Sequence, residues 1–310
     1  MFAVAGTVPI QDFPLVTGEV FLKDDSLFIQ GNKVPVNRGT PALLAAAIKA
    51  CEALDQDAPF GYLIGDIGLG DGSRRLYEYL TKDLRQSVSR SKPGTDFQAI
   101  TFHYLQPDVD WHNRVLFAME EMTKPPILIA DAGFMYAAKM SGQASEYDLF
   151  TPDVGELAFL ADEEAPHPFY TRGFILHEEN SVPDLIARSY EHKNASRYLL
   201  VKGSQDYVAD SQGIQATIDS PMEEAMEAMG GTGDTLTGIV TALVGTGMEI
   251  MKAATVAARV NRLAGYYAKP TPATQVMEII QHIPKALEKI LNEEKHGVTP
   301  QVDRLKAEDC

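Results

Sequence analysis

Cysteine is nearly missing from this chain. Two occur in 310 residues, Cys51 and Cys310, so neither a disulfide framework nor a cysteine zinc site can be built. The scarcity fits a reducing compartment. Long apolar runs are missing as well, since every apolar stretch falls well short of the roughly 20 residues that span a bilayer. The opening MFAVAGTVPIQDFPLV has no basic leader region and no long apolar segment, which reads against a signal peptide. The expectation is a cytoplasmic protein without a membrane partner. No basic run interrupts a net charge of −16. A surface this acidic repels nucleic acid backbones, so no nucleic acid partner is expected.

Several catalytic signatures are also absent. There is no GxxxxGK[ST] phosphate loop, no GxGxxG dinucleotide fingerprint, no GxSxG and no HExxH. The seven histidines (His103, His112, His167, His177, His192, His282 and His296) show no metal-ligand spacing and read as structural or solvated. Trp111 reads as a packing anchor at a helix start.

What is present is an ordinary globular composition, 45% hydrophobic and 23% charged, long enough to bury a core without staples. From residue 60 onward, short apolar runs alternate with amphipathic ones. FGYLIGD, QAITFHYL, PPILIAD, YDLFT, RGFILH and RYLLVKG read as strands. SRRLYEYLTKDLRQSV, WHNRVLFAMEEMT, FMYAAKMS, VGELAFLAD and VPDLIARSYEH read as the helices between them. DYVAD and GIQATID look like an antiparallel pair. TLTGIVTALVG and MEIMKAATVAARVNRLAGYYAK are helical, and QVMEIIQHIPKALEKILNEE should kink or split at Pro284. Such alternation predicts an α/β fold in three layers, a mainly parallel central sheet with helices on both faces. One domain over residues 1–294 is expected, with a polar tail over 295–310. Residues 1–40 read as short strands or a hairpin, suited to a lid or an interface. The helix PALLAAAIKACEAL is expected to start with Thr40 as N-cap and Pro41 in its first turn.

Ligands of parallel sheets bind at the carboxyl ends of strands. Four loops with distinctive residues fall there: GDIGLGDG, DAG, TPDVGE and KGSQ. The segment with most chemistry is Gly230-Gly231-Thr232-Gly233-Asp234, running into a helix expected near Thr235. Glycines allow close backbone approach, and the unpaired amides and dipole of a helix start favour an anion. Asp234 could accept a proton from an attacking hydroxyl, or simply cap the helix. The run EEAMEAM before it reads as a solvated helical face or a flap.

GGTGDTLTGIVTALVGTGM resembles the anion-hole and base motif of the ribokinase-like superfamily. The GTGD spelling followed by LTGI is most similar to the ATP/ADP-dependent NAD(P)H-hydrate dehydratases. YLIGDIGLGDG, ILIADAGFMYAA, LFTPDVGELAFLAD and LLVKGSQDYVADSQG resemble, in order, that family's GPGLG, DADAL, LTPHPGE and LKG segments, so the likeness covers about residues 60–270. The resemblance implies Asp234 as base and Gly231, Thr232 and Gly233 as the anion hole. It implies Lys202, Gly203, Gly230 and Asn261 as nucleotide contacts. It implies Glu156 as the residue that organises Mg²⁺ through water, although a first-turn glutamate is also what a helix dipole favours. Asp131 would hold a substrate hydroxyl or cap its own turn, and Asn37 and Gly68 fall on the substrate side. ATP or ADP with Mg²⁺, a monovalent cation as a further candidate, a small hydroxylated substrate and a homo-oligomer are the implied partners. An ordinary sugar, vitamin-precursor or nucleoside kinase, and a non-catalytic nucleotide-binding protein, are the alternatives. Asp153 and Val154 stand where the family carries histidine and proline, and residues 1–55 lack its usual glycine-rich segment.

Overall fold

The computed structural model describes residues 1–89, 97–163, 181–271 and 273–296. The expected strand RGFILH, His167 and His177, and the last fourteen residues lie outside them.

Strand β1 (Ala3–Val8) is wholly buried. It pairs in parallel with β6 (Phe60–Gly65) on one side and β7 (Ala99–His103) on the other. β8 (Ile127–Ala130), β9 (Leu149–Phe150) and β10 (Tyr198–Val201) continue the parallel array. The antiparallel strands β11 (Asp206–Asp210) and β12 (Gly213–Ile218) close one edge. β2 (Val16–Glu19) closes the other. A separate sheet of β3 (Phe21–Lys23), β4 (Ser26–Ile29) and β5 (Asn32–Pro35) lies beside the main one. The N-terminal run thus splits between the middle of the main sheet, one edge, and a small sheet of its own. Alternation alone shows strands but not which become interior ones.

Period-two patterning builds two cores. On β1, Val4 and Val8 enter one and Ala3 and Ala5 the other. The first core lies under α1 (Thr40–Ala53), α7 (Thr232–Gly245), α8 (Ile250–Ala268), α9 (Val276–Ile280) and α10 (Ile283–Lys295). The second lies under α2 (Asp71–Ser89), α3 (Val109–Glu120), α4 (Gly133–Met140), α5 (Val154–Ala161) and α6 (Val182–Glu191). This is the expected three-layer α/β arrangement.

Local details depart from expectation. The N-cap of α1 is Gly39, and Thr40 begins the helix without a capping side-chain bond. Its hydroxyl points inward to His103 instead. The chain breaks between α9 and α10, with Pro284 in the first turn of the second helix, where its missing N–H costs nothing. Trp111 is half-buried against the second core with Arg114 over its ring, as a packing anchor should be. Among the described residues no helix is long and apolar enough to cross a membrane.

Candidate functional site

Because β7, β8, β9 and β10 run in parallel, their carboxyl ends share one rim. His103 ends β7, Asp131 follows β8, Thr151 follows β9, and Lys202 follows β10. A cleft of about 690 Å³ opens above them. Its lining includes Gly231, Thr232, Gly233, Asp234, Lys202, Gly203, Asn261, Asp131 and Glu156. The chain therefore brings together nine of the twelve site residues expected from sequence.

The glycine loop expected to bind an anion is built around Gly231. Its φ of 101° is left-handed, and an added Cβ would lie 3.1 Å from Val276 Cγ2 and 3.3 Å from the Arg38 Cα, so only glycine fits. Gly231 caps α7, which begins at Thr232, three residues before the expected start. Asp234 is thus inside the first helical turn rather than at the cap. The neighbouring first-turn amides have no intrahelical acceptor. Gly39 N donates to Asp234 Oδ2 at 2.6 Å, and His103 Nε2 lies 3.2 Å from Oδ1. Burial by itself would raise the Asp234 pKa. His103, Lys202 and the Gly39 amide outweigh it and hold the carboxyl below its ordinary range.

Lys202 Nζ makes a two-pronged bond to Asp131, at 3.0 and 2.8 Å. Asp131 also accepts from the Ala132 amide and the Thr237 hydroxyl, and is only 1% exposed. With these donors around it, Asp131 serves Lys202 and α7 rather than presenting a free oxygen to a substrate hydroxyl. Burial works against charge on Lys202, but Asp131 and Glu156 prevail and hold its pKa above the ordinary value. The ammonium lies close against Gly233, beside the anion loop.

Asn261 lines the cleft from α8. Its Oδ1 accepts from Thr235 Oγ1 at 2.7 Å and its Nδ2 donates to Thr232 O at 3.2 Å. Both ends of the amide brace the first turn of α7. Next to it, Arg262 holds Asp206 at 2.7 Å and the carbonyls of Gly203 and Ser204 at 2.9 Å, which fixes the loop after β10. Sequence reasoning missed Arg262, and a buried arginine one residue after Asn261 carried no separate signal.

Glu156 and Asp153 form a capping box at the start of α5, each accepting the other's amide. Glu156 Oε1 also accepts from Tyr136 at 3.3 Å. Burial first, then Asp131, pushes the Glu156 carboxyl up to about 8 although Lys202 opposes it. The run expected as a solvated helical face or a flap is a wall of the cleft containing one short 3-10 turn, Glu224–Met226. Thr232 ties it to the anion loop by donating to Met226 O at 3.1 Å.

Three expected residues fall outside the cleft lining. Gly230 is exposed beside Arg38, Asn37 is exposed before α1, and Gly68 is exposed in the loop after β6. That loop is organised by Asp66, which accepts from the amides of Gly68, Leu69, Gly70 and Ser73 and from the Ser73 hydroxyl. His103, read as structural or solvated, is buried at the heart of the site. The signal was its place at the carboxyl end of β7, a strand with no distinctive loop after it.

The profile of the NAD(P)H-hydrate dehydratase family, of carbohydrate-kinase type, matches residues 106–286. The chain belongs to that family. The match holds Asp131, Glu156, Lys202 and the anion loop. It begins after the GDIGLGDG loop, which therefore lies outside it. An uncharacterized protein of Methanocaldococcus jannaschii is 40% identical over 250 residues, 80% of this chain and all of that one. A bifunctional NAD(P)H-hydrate repair enzyme Nnr of Hyperthermus butylicus is 42% identical over 91 residues, 29% of this chain but only 16% of that protein. A solved ribokinase-like superfamily protein of Enterococcus faecalis superposes with a TM-score of 0.51 over 80% of this chain and 82% of that one, at 19% identity. The fold is ribokinase-like, as the sequence implied.

Proposed function

We propose that this chain transfers a phosphoryl group from ATP or ADP to a hydroxylated small molecule and, in its closest form, dehydrates hydrated NAD(P)H. The observation that carries the reading is the position of Asp234. Its carboxylate is fixed by Gly39 in the first turn of α7, beside the amides of Gly231, Thr232 and Gly233, at the end of the cleft. A base and an anion-binding helix start are then within one turn of each other. In-line phosphoryl transfer needs little more from the protein than that placement and charge stabilisation.

The residues fit a nucleotide. The phosphates would meet the first-turn amides, with Lys202 alongside. The cleft lining otherwise carries far more carboxylates than cations, and both its cations, Lys202 and Arg262, are ion-paired. A polyphosphate therefore calls for a divalent counter-charge. Glu156 and Asp153 would hold Mg²⁺ through water. Mg²⁺ commonly takes one or two carboxylates and fills the rest of its shell with phosphate and water. When bound, the metal would neutralise charge on the phosphates. Asp234 takes the proton of the attacking hydroxyl. The anion loop then holds the group that has been transferred. In dehydration the phosphate subsequently departs with the substrate oxygen, and a proton is lost from the neighbouring carbon.

A kinase reading has its own support. The family match leaves residues 1–105 uncovered, and these supply Gly39 to Asp234, Arg38 against Gly231, and Tyr104 to the cleft lining. Phosphate release and nucleotide turnover with Mg²⁺ separate the two, using hydrated NADH beside sugars and vitamin precursors. NADH with free phosphate supports dehydration. A stable phosphorylated product supports a kinase and counts against dehydration.

A further inference from the structure

One buried ring nitrogen faces two carboxylates at the site. His103 Nε2 is the one buried side-chain nitrogen or oxygen among the described residues without a hydrogen bond. It lies 3.2 Å from Asp234 Oδ1 and 3.6 Å from Asp131 Oδ2, with the ring fully buried. The other ring nitrogen, Nδ1, is 3.0 Å from the Thr40 hydroxyl. Space for that pair exists because β1 carries Gly6, whose added Cβ would fall 2.6 Å from Thr40 Oγ1 and 2.7 Å from the His103 carbonyl.

The surroundings choose between the two neutral tautomers. With the proton on Nδ1, the bare lone pair of Nε2 would face two carboxylates in a dry site, where repulsion is strong. With the proton on Nε2, the Thr40 hydroxyl donates to Nδ1 and the N–H faces the carboxylates. The second arrangement turns a donor rather than a lone pair toward the carboxylates. The Nε2–Asp234 distance is already within hydrogen-bond range, and such bonds often align only once substrate is present.

We propose that His103, set as the Nε2–H tautomer by Thr40, is a positioning residue that clamps the Asp234 carboxylate from Oδ1 while Gly39 holds Oδ2. The role rests on Asp234 being the base. It resembles a triad run in reverse, with a hydroxyl fixing the tautomer and the carboxylate as the reactive end. Asp234 is faced by His103 and Tyr104 at the end of β7, by the Gly39 amide before α1, by Asp131 after β8 and by Lys202 after β10. Replacing His103 removes one group that favours its charged form and leaves Gly39 and Lys202. The Asp234 carboxyl should therefore titrate higher, but remain an acid.

Two readouts on the full chain test this, and the first needs no substrate. Nitrogen-15 spectra of the histidine rings, with carbon-13 spectra of the Asp234 carboxyl, are recorded against pH for wild type, His103→Leu, His103→Gln and Thr40→Val. The expected result is a protonated Nε2 and bare Nδ1 in wild type. The Asp234 titration should move upward in His103→Leu and return toward wild type in His103→Gln, whose amide can donate from a similar place. A bare Nε2 in wild type, or an unmoved Asp234 titration in His103→Leu, overturns the proposal. The second readout is nucleotide turnover. His103→Leu should lose up to about 100-fold in kcat, as misplacement of a reacting group does, with little change in nucleotide KM and a raised acid limb. Equal losses in the Leu and Gln variants with an unmoved acid limb also overturn it. If wild type turns over no substrate at all, the assignment of Asp234 as base fails, and the spectra still decide whether His103 clamps it.

Discussion

The amide of Gly39 donates to the carboxylate of Asp234 at 2.6 Å, across a sequence separation of 195 residues. One short contact therefore joins the start of α1, from the N-terminal region outside the family match, to the first turn of α7 inside it. The Asp234 carboxylate is held by both halves of the chain, although only one of them carries the recognisable motif.

Asp234→Asn should keep the fold and nucleotide affinity while turnover falls about 10²–10⁴-fold, the usual contribution of a positioned base. Calorimetry with nucleotide and a steady-state phosphate assay check the two halves of that statement. Full activity in the variant would remove Asp234 from the chemistry.

Much of this site was legible in the sequence, because glycines and an acid at a helix start have few other uses together. The alternating strands and helices were legible for the same reason, as burial imposes periods of two and 3.6. Side-chain pairings were not. Asn261 and Asp131 both line the cleft, yet their hydrogen bonds reach inward, to Thr235 and to Lys202. His103 was overlooked because a lone histidine at a strand end gives no spacing. Its meaning depends on Thr40 and Asp234, residues far away in sequence that only the sheet brings to it.

Lys202 and Asp131 form a buried pair, so breaking it from one side leaves an uncompensated charge. Lys202→Met should cost about 3–5 kcal/mol in stability. The double variant Lys202→Met with Asp131→Asn should be more stable than Lys202→Met alone. Urea unfolding of the four proteins checks the cycle, and simple additivity would show that the pair is not coupled.

Asn261→Leu should lower stability by about 1–3 kcal/mol, since it leaves the Thr235 hydroxyl and Thr232 carbonyl without their partner. Turnover should fall through kcat, because the anion loop loses its brace. The preference between adenine and guanine nucleotides should not change. A selective loss of adenine affinity would return Asn261 to the base-contact role implied by family resemblance.

The Asp66 clamp carries a pH signature. Partial burial raises its pKa, but donors from Ser73, Gly70 and Gly68 outweigh this and hold the carboxyl below its ordinary value. A depressed carboxylate stabilises the fold above the unfolded-state value, and that stabilisation disappears as pH falls through the lower folded-state value. The thermal midpoint of Asp66→Asn should therefore lie below wild type near neutrality, and the gap should close on acidification. A gap constant with pH would assign the effect to lost shape rather than lost charge.

The most direct test of the central claim follows one oxygen atom. Hydrated NADH labelled with oxygen-18 in its hydroxyl is turned over with Mg²⁺ and ATP or ADP, and the released phosphate is analysed by mass. Phosphoryl transfer to that hydroxyl followed by loss of phosphate places the label in inorganic phosphate, and Asp234→Asn should abolish its appearance. Label found only in water, with unlabelled phosphate, would mean that the hydroxyl was never phosphorylated and would contradict the account.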